Sequence, residues 1–410
     1  MNLDWKKIGI IAMFLAAVLL FGFFLYFFFF RPIFGLQAPA NGNANLNGGL
    51  QPAINGNAPR NFTNINGQLV PVNNANVSQP PQPSGAAQGG ITQVTPITKD
   101  PAYFPSPTAD GAIIYYNAKD GKFYRLTADG QVIAYSDKVF NNVSNAVWSN
   151  DHNMAVLQYP DGSNIIYDFK NNKQYTLPQH WTDFSFAPDS QQIAFKSIGL
   201  DPENRFLAMA RYDSSQVKIL ENIGGVEDKF QVNFSPNGQV VADFTDGKDL
   251  DRSEIYFIGQ NKENFKSMIV EGRDFRGIWS PDGNQMLYSV YNSDGYLPEL
   301  WISDASGENI GNNRENININ TWANKCSFAG SDVVYCAVPQ TLQEGAGLEP
   351  EMAANTPDDI YEINLNTGSR RMIATPSGDH TISQIITVPN APYLLFSDSQ
   401  SNMIYRLNLQ

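Results

Sequence analysis

The chain has 410 residues and a net charge of −13, with 40 acidic against 27 basic side chains. Residues 1–99 carry a net +4, which leaves −17 on the remainder; that balance excludes nucleic acid as the ligand of the folded part, because holding phosphates needs a basic face. Two cysteines exclude a disulfide-built mini-scaffold, and the length admits two or three ordinary domains or one large repeat domain.

The first predicted element is a membrane span. Ile8–Phe30 is 23 consecutive uncharged, mostly apolar residues, enough to cross a hydrocarbon core of about 30 Å at about 1.5 Å per residue. Lys6 and Lys7 precede it and Arg31 follows it, which favours a cytoplasmic N-terminus and an exported C-terminal part. A cleaved signal peptide is the competing reading. Its apolar region would be about 7–15 residues, the small-residue site Ala38-Pro39-Ala40 lies well beyond Phe30, and no cysteine stands nearby to take a lipid. Residues 1–36 therefore read as a cytoplasmic stub and an uncleaved anchor in the cell membrane, with the lipid bilayer as partner.

Residues 37–90 form a low-complexity linker dominated by Asn, Gly, Pro, Gln and Ala, with Arg60 its only charge. Such a composition buries too little apolar surface to offset its ordering entropy. As a flexible coil it spans on the order of 40 Å root-mean-square, enough to hold a domain clear of a membrane. A Pro-rich docking motif at Pro80 to Pro83 is the weaker alternative.

Residues 91–410 are built from a recurring unit. Its best copy is Trp279-Ser280-Pro281-Asp282-Gly283-Asn284 followed by Gln285-Met286-Leu287-Tyr288. Weaker copies begin at Trp148, Phe186, Phe234, Phe328 and Val388, and another opens the domain at Pro107-Thr108-Ala109-Asp110-Gly111. The steps between aromatic anchors run from 38 to 60 residues, a period that signals propeller blades. Pro presets φ at the second turn position, Asp or Asn bonds its own backbone, and Gly supplies positive φ. The unit is thus a tight turn between two strands, which explains its Asp without invoking a metal. The apolar run after each turn is a strand covered on both faces. Ile165–Asp168, Glu254–Phe257, Glu299–Ile302 and Asp359–Ile363 are equivalent third strands. The last unit, ending at Met403–Asn408, is one strand short, and the spare strand at Ile91–Val94 supplies it by pairing with the last blade. The expected fold is all-β: a β-propeller of seven blades, with six or eight as alternatives, behind a transmembrane helix and a disordered linker.

The aromatic-Ser-Pro-Asp-Gly turn and its apolar strand resemble the TolB-type, WD-repeat-like propeller repeat, also similar to the propellers of prolyl oligopeptidase relatives. The resemblance covers about residues 100–410 and implies the fold. Propellers of this kind serve as scaffolds, binding modules and enzyme lids, so function must come from the site.

Departures from the repeat are the candidates for function. The sixth unit inserts about twelve residues after Val338, with Leu342, Glu344, Leu348, Glu349 and Glu351 as a candidate partner-binding loop, because long loops on rigid scaffolds carry function more often than their surroundings do. A tolerated surface insertion is the bland alternative. The fourth unit carries an acidic loop, Asp246, Asp249, Asp251 and Glu254, with oxygen ligands suited to a hard cation but no EF-hand spacing. Cys326 and Cys336 flank the degenerate turn Ala329-Gly330-Ser331. Pairing Phe328 with Asp332 leaves the cysteines diagonal, about 7–8 Å apart, too far for an unstrained bridge. A shift of two residues places them opposite. A structural disulfide and a pair of buried thiols are the two readings.

No catalytic template fits. There is no Gly-x-Ser-x-Gly elbow and no phosphate loop, and His152, His180 and His380 fall in different units. The sequence therefore points to a monomeric, non-enzymatic propeller without cofactor or metal, exported and tethered to the membrane, that binds a protein partner. The alternative is an exported lactonase- or glycosidase-like hydrolase with a carboxylate or metal site in the central channel.

Overall fold

A computed structural model describes residues 82–410, together with Leu20 and two short strands, Phe62–Ile65 and Gln68–Pro71. The expected span Ile8–Phe30, Leu20 excepted, and most of the linker lie outside the described residues. The two short strands pair antiparallel with Ile65 opposite Gln68. The dipeptide between them is Asn66-Gly67, a favoured two-residue hairpin connection. Phe62–Ile65 and Gln68–Pro71 thus depart from the coil that the composition of residues 37–90 implies.

From residue 91 the chain forms seven antiparallel sheets, all-β throughout apart from short 3-10 turns. Blade one takes residues 102–134, blade two 145–177, blade three 181–222, blade four 230–270, blade five 273–316, blade six 326–376 and blade seven 382–408. The first strands of neighbouring blades touch one another and so lie nearest the ring axis. Second strands such as Ile113–Asn117 and Met154–Gln158 are buried almost end to end, because each sheet is sandwiched between two others; this is why their apolar runs do not alternate. Outer strands are open: Val132–Ala134 is exposed throughout.

The core is divided among the seams. Seven apolar clusters each join one blade to the next, including one between blade seven (Ile386, Leu395) and blade one (Ile113, Tyr115), so the ring is closed. Closure differs in detail from a single strand at Ile91–Val94. Val94–Pro96 pairs antiparallel with Ile404–Asn408 as the fourth strand of blade seven. Ile91–Thr92 instead runs parallel to Ser369–Pro376 as a fifth strand of blade six. The chain steps across the seam at Gln93, and both blades lose an open edge to the same short segment.

The blade six turn resolves the cysteine register. Phe328 faces Val334, the loop between them holds five residues, and Cys326 lies directly opposite Cys336. The two form a disulfide.

Candidate interaction face

The ring has two ends. At one end sit the turns between first and second strands. In the best copy, Gly283 N–H donates to the Ser280 carbonyl (2.9 Å), Ser280 Oγ donates to Asp282 Oδ1 (2.6 Å), and Asn284 N–H donates to the same carboxyl oxygen (3.1 Å). These bonds hold Asp282 below the usual carboxylate range. The turns also bond to their neighbours: Asn237 Nδ2 donates to the Gly283 carbonyl (2.7 Å) and Asp151 N–H to Ser190 Oγ (3.1 Å). Trp279 Nε1 reaches back to the Asn233 carbonyl of blade four (3.2 Å), and Trp148 Nε1 to the Phe104 carbonyl of blade one (3.0 Å). The motif side chains are thus spent on turn geometry and on stitching blades together.

The opposite end carries the loops between second and third strands. In blade three this loop puts Leu200, 97 % exposed, beside Asp201 and Glu203. The blade four loop puts Leu250, 80 % exposed, between Asp249 and Asp251. Here the proposed cation ligands are occupied by side-chain cations: Lys248 pairs with Glu254 and Asp246, and Arg252 Nη2 with Asp249 Oδ2 at 2.7 Å. Asp251 Oδ1 accepts Ser293 N–H of the blade five loop at 2.7 Å. Lys248 and Ser267 hold Glu254 down at about 2. The blade five loop carries Asp294 and a partly exposed Tyr296.

The inserted loop of blade six is folded down against its neighbours. Gly345 N–H donates to the Gly295 carbonyl (3.0 Å) and Gly347 N–H to the Tyr296 carbonyl (2.7 Å). Gly347 is required at that approach, since a Cβ there would lie 2.7 Å from both Tyr291 Cβ and the Tyr296 oxygen. Leu342 is partly buried with Ala346 and Ala353 against Trp322 and Leu297, so it holds the loop in place. Leu348 and Met352 are about half exposed at the outer surface, and Glu344, Glu349 and Glu351 are exposed beside them. The loop ends at Asp358, which is buried and held at 2.7 and 2.9 Å by Lys325 Nζ and at 2.6 Å by Ile382 N–H. Burial pushes the Asp358 carboxyl up, against the Lys325 ammonium and the Ile382 N–H, which favour its ionised form. Lys325 immediately precedes Cys326, so the ion pair and the disulfide brace the same blade.

The inner strands offer a different arrangement. Blades three and five carry bulges at Asp183 and Asp274, both with positive φ, a conformation Asp tolerates better than most residues. Their carboxylates are paired, Asp183 with Lys196 (2.9 Å) and Asp274 with Arg276 (2.8 Å). Asp243, on the second strand of blade four, is 3 % exposed with an Oδ1 that meets no hydrogen-bond donor. Burial first, then the Asp183 carboxylate, push it up to about 7 against the opposing Lys196. Across the sheet it pairs with Phe257, and the charges that act on it, Asp183 and Lys196, stand on blade three. A cleft of about 780 Å³ lies between the outer strands of blades three and four. No three His, Cys, Asp or Glu side chains converge among the described residues.

The architecture defines the protein as a seven-bladed β-propeller. Among solved structures, the chain is similar to the propeller domain of Myceliophteria thermophila Cps50 (Swd1), with a TM-score of 0.52 at 12 % identity over 77 % of this chain and 100 % of that one. It is also similar to an oligogalacturonate lyase in complex with manganese (0.49, 12 %, 77 % and 93 %) and to the tricorn protease (0.48, 10 %, 84 % and 35 %). No family profile and no curated protein matches the chain by sequence.

Proposed function

We propose that the protein is a non-enzymatic, membrane-anchored propeller of the TolB-type, WD-repeat-like kind that binds a protein partner outside the cytoplasm through the loop end of its ring. The observation that carries this reading is the set of large apolar side chains held open to solvent on the loops of blades three to six. They stand on the loops of four successive blades at one end of the ring, and apolar side chains gathered on one face mark interaction sites. The Ile8–Phe30 run with Lys6 and Lys7 before it supports the anchor. The Cys326–Cys336 bridge suits an oxidising, exported compartment. The charge balance argues against nucleic acid as ligand.

Site-specific photo-crosslinking in the native cells tests this. Leu250→benzoylphenylalanine and Leu348→benzoylphenylalanine in the full chain should each give a discrete protein adduct, and Asn237→benzoylphenylalanine at the turn end should give none. Equal adducts from both ends, or none from the loop end, would refute the reading.

A further inference from the structure

The loops of blades three to six form one continuous rim. Asp251 binds the Ser293 amide, and Gly295 and Tyr296 bind the amides of Gly345 and Gly347. Toward blade three, Lys229 pairs with Asp246, and Arg205, at the end of the blade three loop, pairs with Glu227. Along this rim every loop carries at least one large apolar side chain that is exposed, Leu200 and Leu250 almost wholly and Tyr296, Leu348 and Met352 in part. A leucine 97 % exposed adds nothing to the core of the ring, and an apolar side chain left open forgoes the stabilisation that burial would supply. The same four loops hold eight carboxylates and two cations, Lys248 and Arg252, both already paired.

We infer that this rim is the docking surface for a basic amphipathic segment of a partner protein, one that lays apolar side chains on the leucine arc and lysines or arginines on the carboxylates. The inference rests on the protein-binding reading above and adds the partner's chemistry. An anionic bilayer is repelled by the same carboxylates, and an acidic peptide is repelled likewise. Exposed rim carboxylates act mainly on encounter rate and salt sensitivity, and the apolar arc sets residence.

The test uses the full chain in nanodiscs and a fluorescent 18-residue Leu/Lys peptide with one apolar helical face. Binding should weaken at least ten-fold between 50 and 500 mM salt. It should also weaken at least ten-fold in the Leu200→Ser/Leu250→Ser/Leu348→Ser variant, and Leu200→Ser/Leu250→Ser, whose side chains are 97 % and 80 % exposed, should melt with the parent and still bind more weakly. A scrambled Leu/Lys peptide without an apolar face should bind at least five-fold more weakly, and a Leu/Glu peptide should not bind. Val132→Ser/Ile133→Ser, on the exposed outer strand of blade one, should leave binding unchanged. Equal binding of the scrambled peptide, or of the triple serine variant, overturns the inference. So do lipid adducts, in place of peptide adducts, from Leu250→benzoylphenylalanine. Protein adducts in cells without any binding of the Leu/Lys peptide would remove this inference and leave the protein-binding reading standing; absence of both removes the two together.

Discussion

The two ends of the ring are made by different rules. At the turn end, blades one, two, four and five repeat one bond, from the hydroxyl of Thr108, Ser149, Ser235 or Ser280 to the Asp or Asn two residues on, and neighbouring turns bond to one another. At the loop end no two blades are alike, and large apolar side chains stay exposed. Regularity marks what the scaffold needs; irregularity that is nevertheless well braced marks what the scaffold carries. Blade six shows this most clearly, since the longest loop sits on the blade fastened by both a buried ion pair and a disulfide.

The largest effect should come from that brace. Lys325→Met leaves the Asp358 carboxylate buried without its cation and should cost about 3–5 kcal/mol, whereas the double variant Lys325→Met/Asp358→Leu should recover most of the loss. Urea unfolding measures both. A single variant as stable as the double would mean that the pair does not fasten the loop.

Next comes pH, acting on the second strand of blade four and not at either end. The folded pKa of Asp243 is raised from 3.8 to about 7, so the fold favours its protonated form. That contribution is fully present below about pH 4 and is lost as pH rises through about 7, on the order of 4 kcal/mol across the window. Asp243→Asn should remove this slope and be the more stable protein at pH 8. A variant that keeps the wild-type slope would assign the dependence to another group.

The turn end predicts a smaller, sharper contrast. Gly283 has φ +70, and a Cβ there would lie 2.8 Å from Asn237 N. Gly330 has φ +84 with open space around it. Gly283→Ala should therefore cost about 2 kcal/mol and Gly330→Ala about 1 kcal/mol, read by thermal melting. Equal costs would mean that the turn-to-turn contact contributes nothing.

The same division explains what was legible in the sequence. The turns recur, so Trp279, Phe186 and Phe234 mark the repeat and its strand order and point to seven blades, with six or eight left open, and to a closing strand from the segment at Ile91. The parallel pairing of Ile91–Thr92 with blade six was not legible, because two residues carry no register signal of their own. The hairpin beside Asn66-Gly67 was masked by the composition around it. The inserted loop stood out by length, yet Leu342 and Leu348 look alike in sequence and only packing separates the inward one from the exposed one. Leu200 and Leu250 were missed altogether. Their signal is a single leucine flanked by acidic and turn residues, which carries no strand or helix period.

The most direct measurement of the division between the ends is quantitative affinity purification of the full chain from native membranes, comparing the wild type with Leu250→Ser/Leu348→Ser/Met352→Ser and with Gly330→Ala. The loop-end variant should lose at least ten-fold of a partner that both the wild type and the turn-end variant retain. Retention of that partner by the loop-end variant at the wild-type level would contradict the assignment of the loop end as the interaction face.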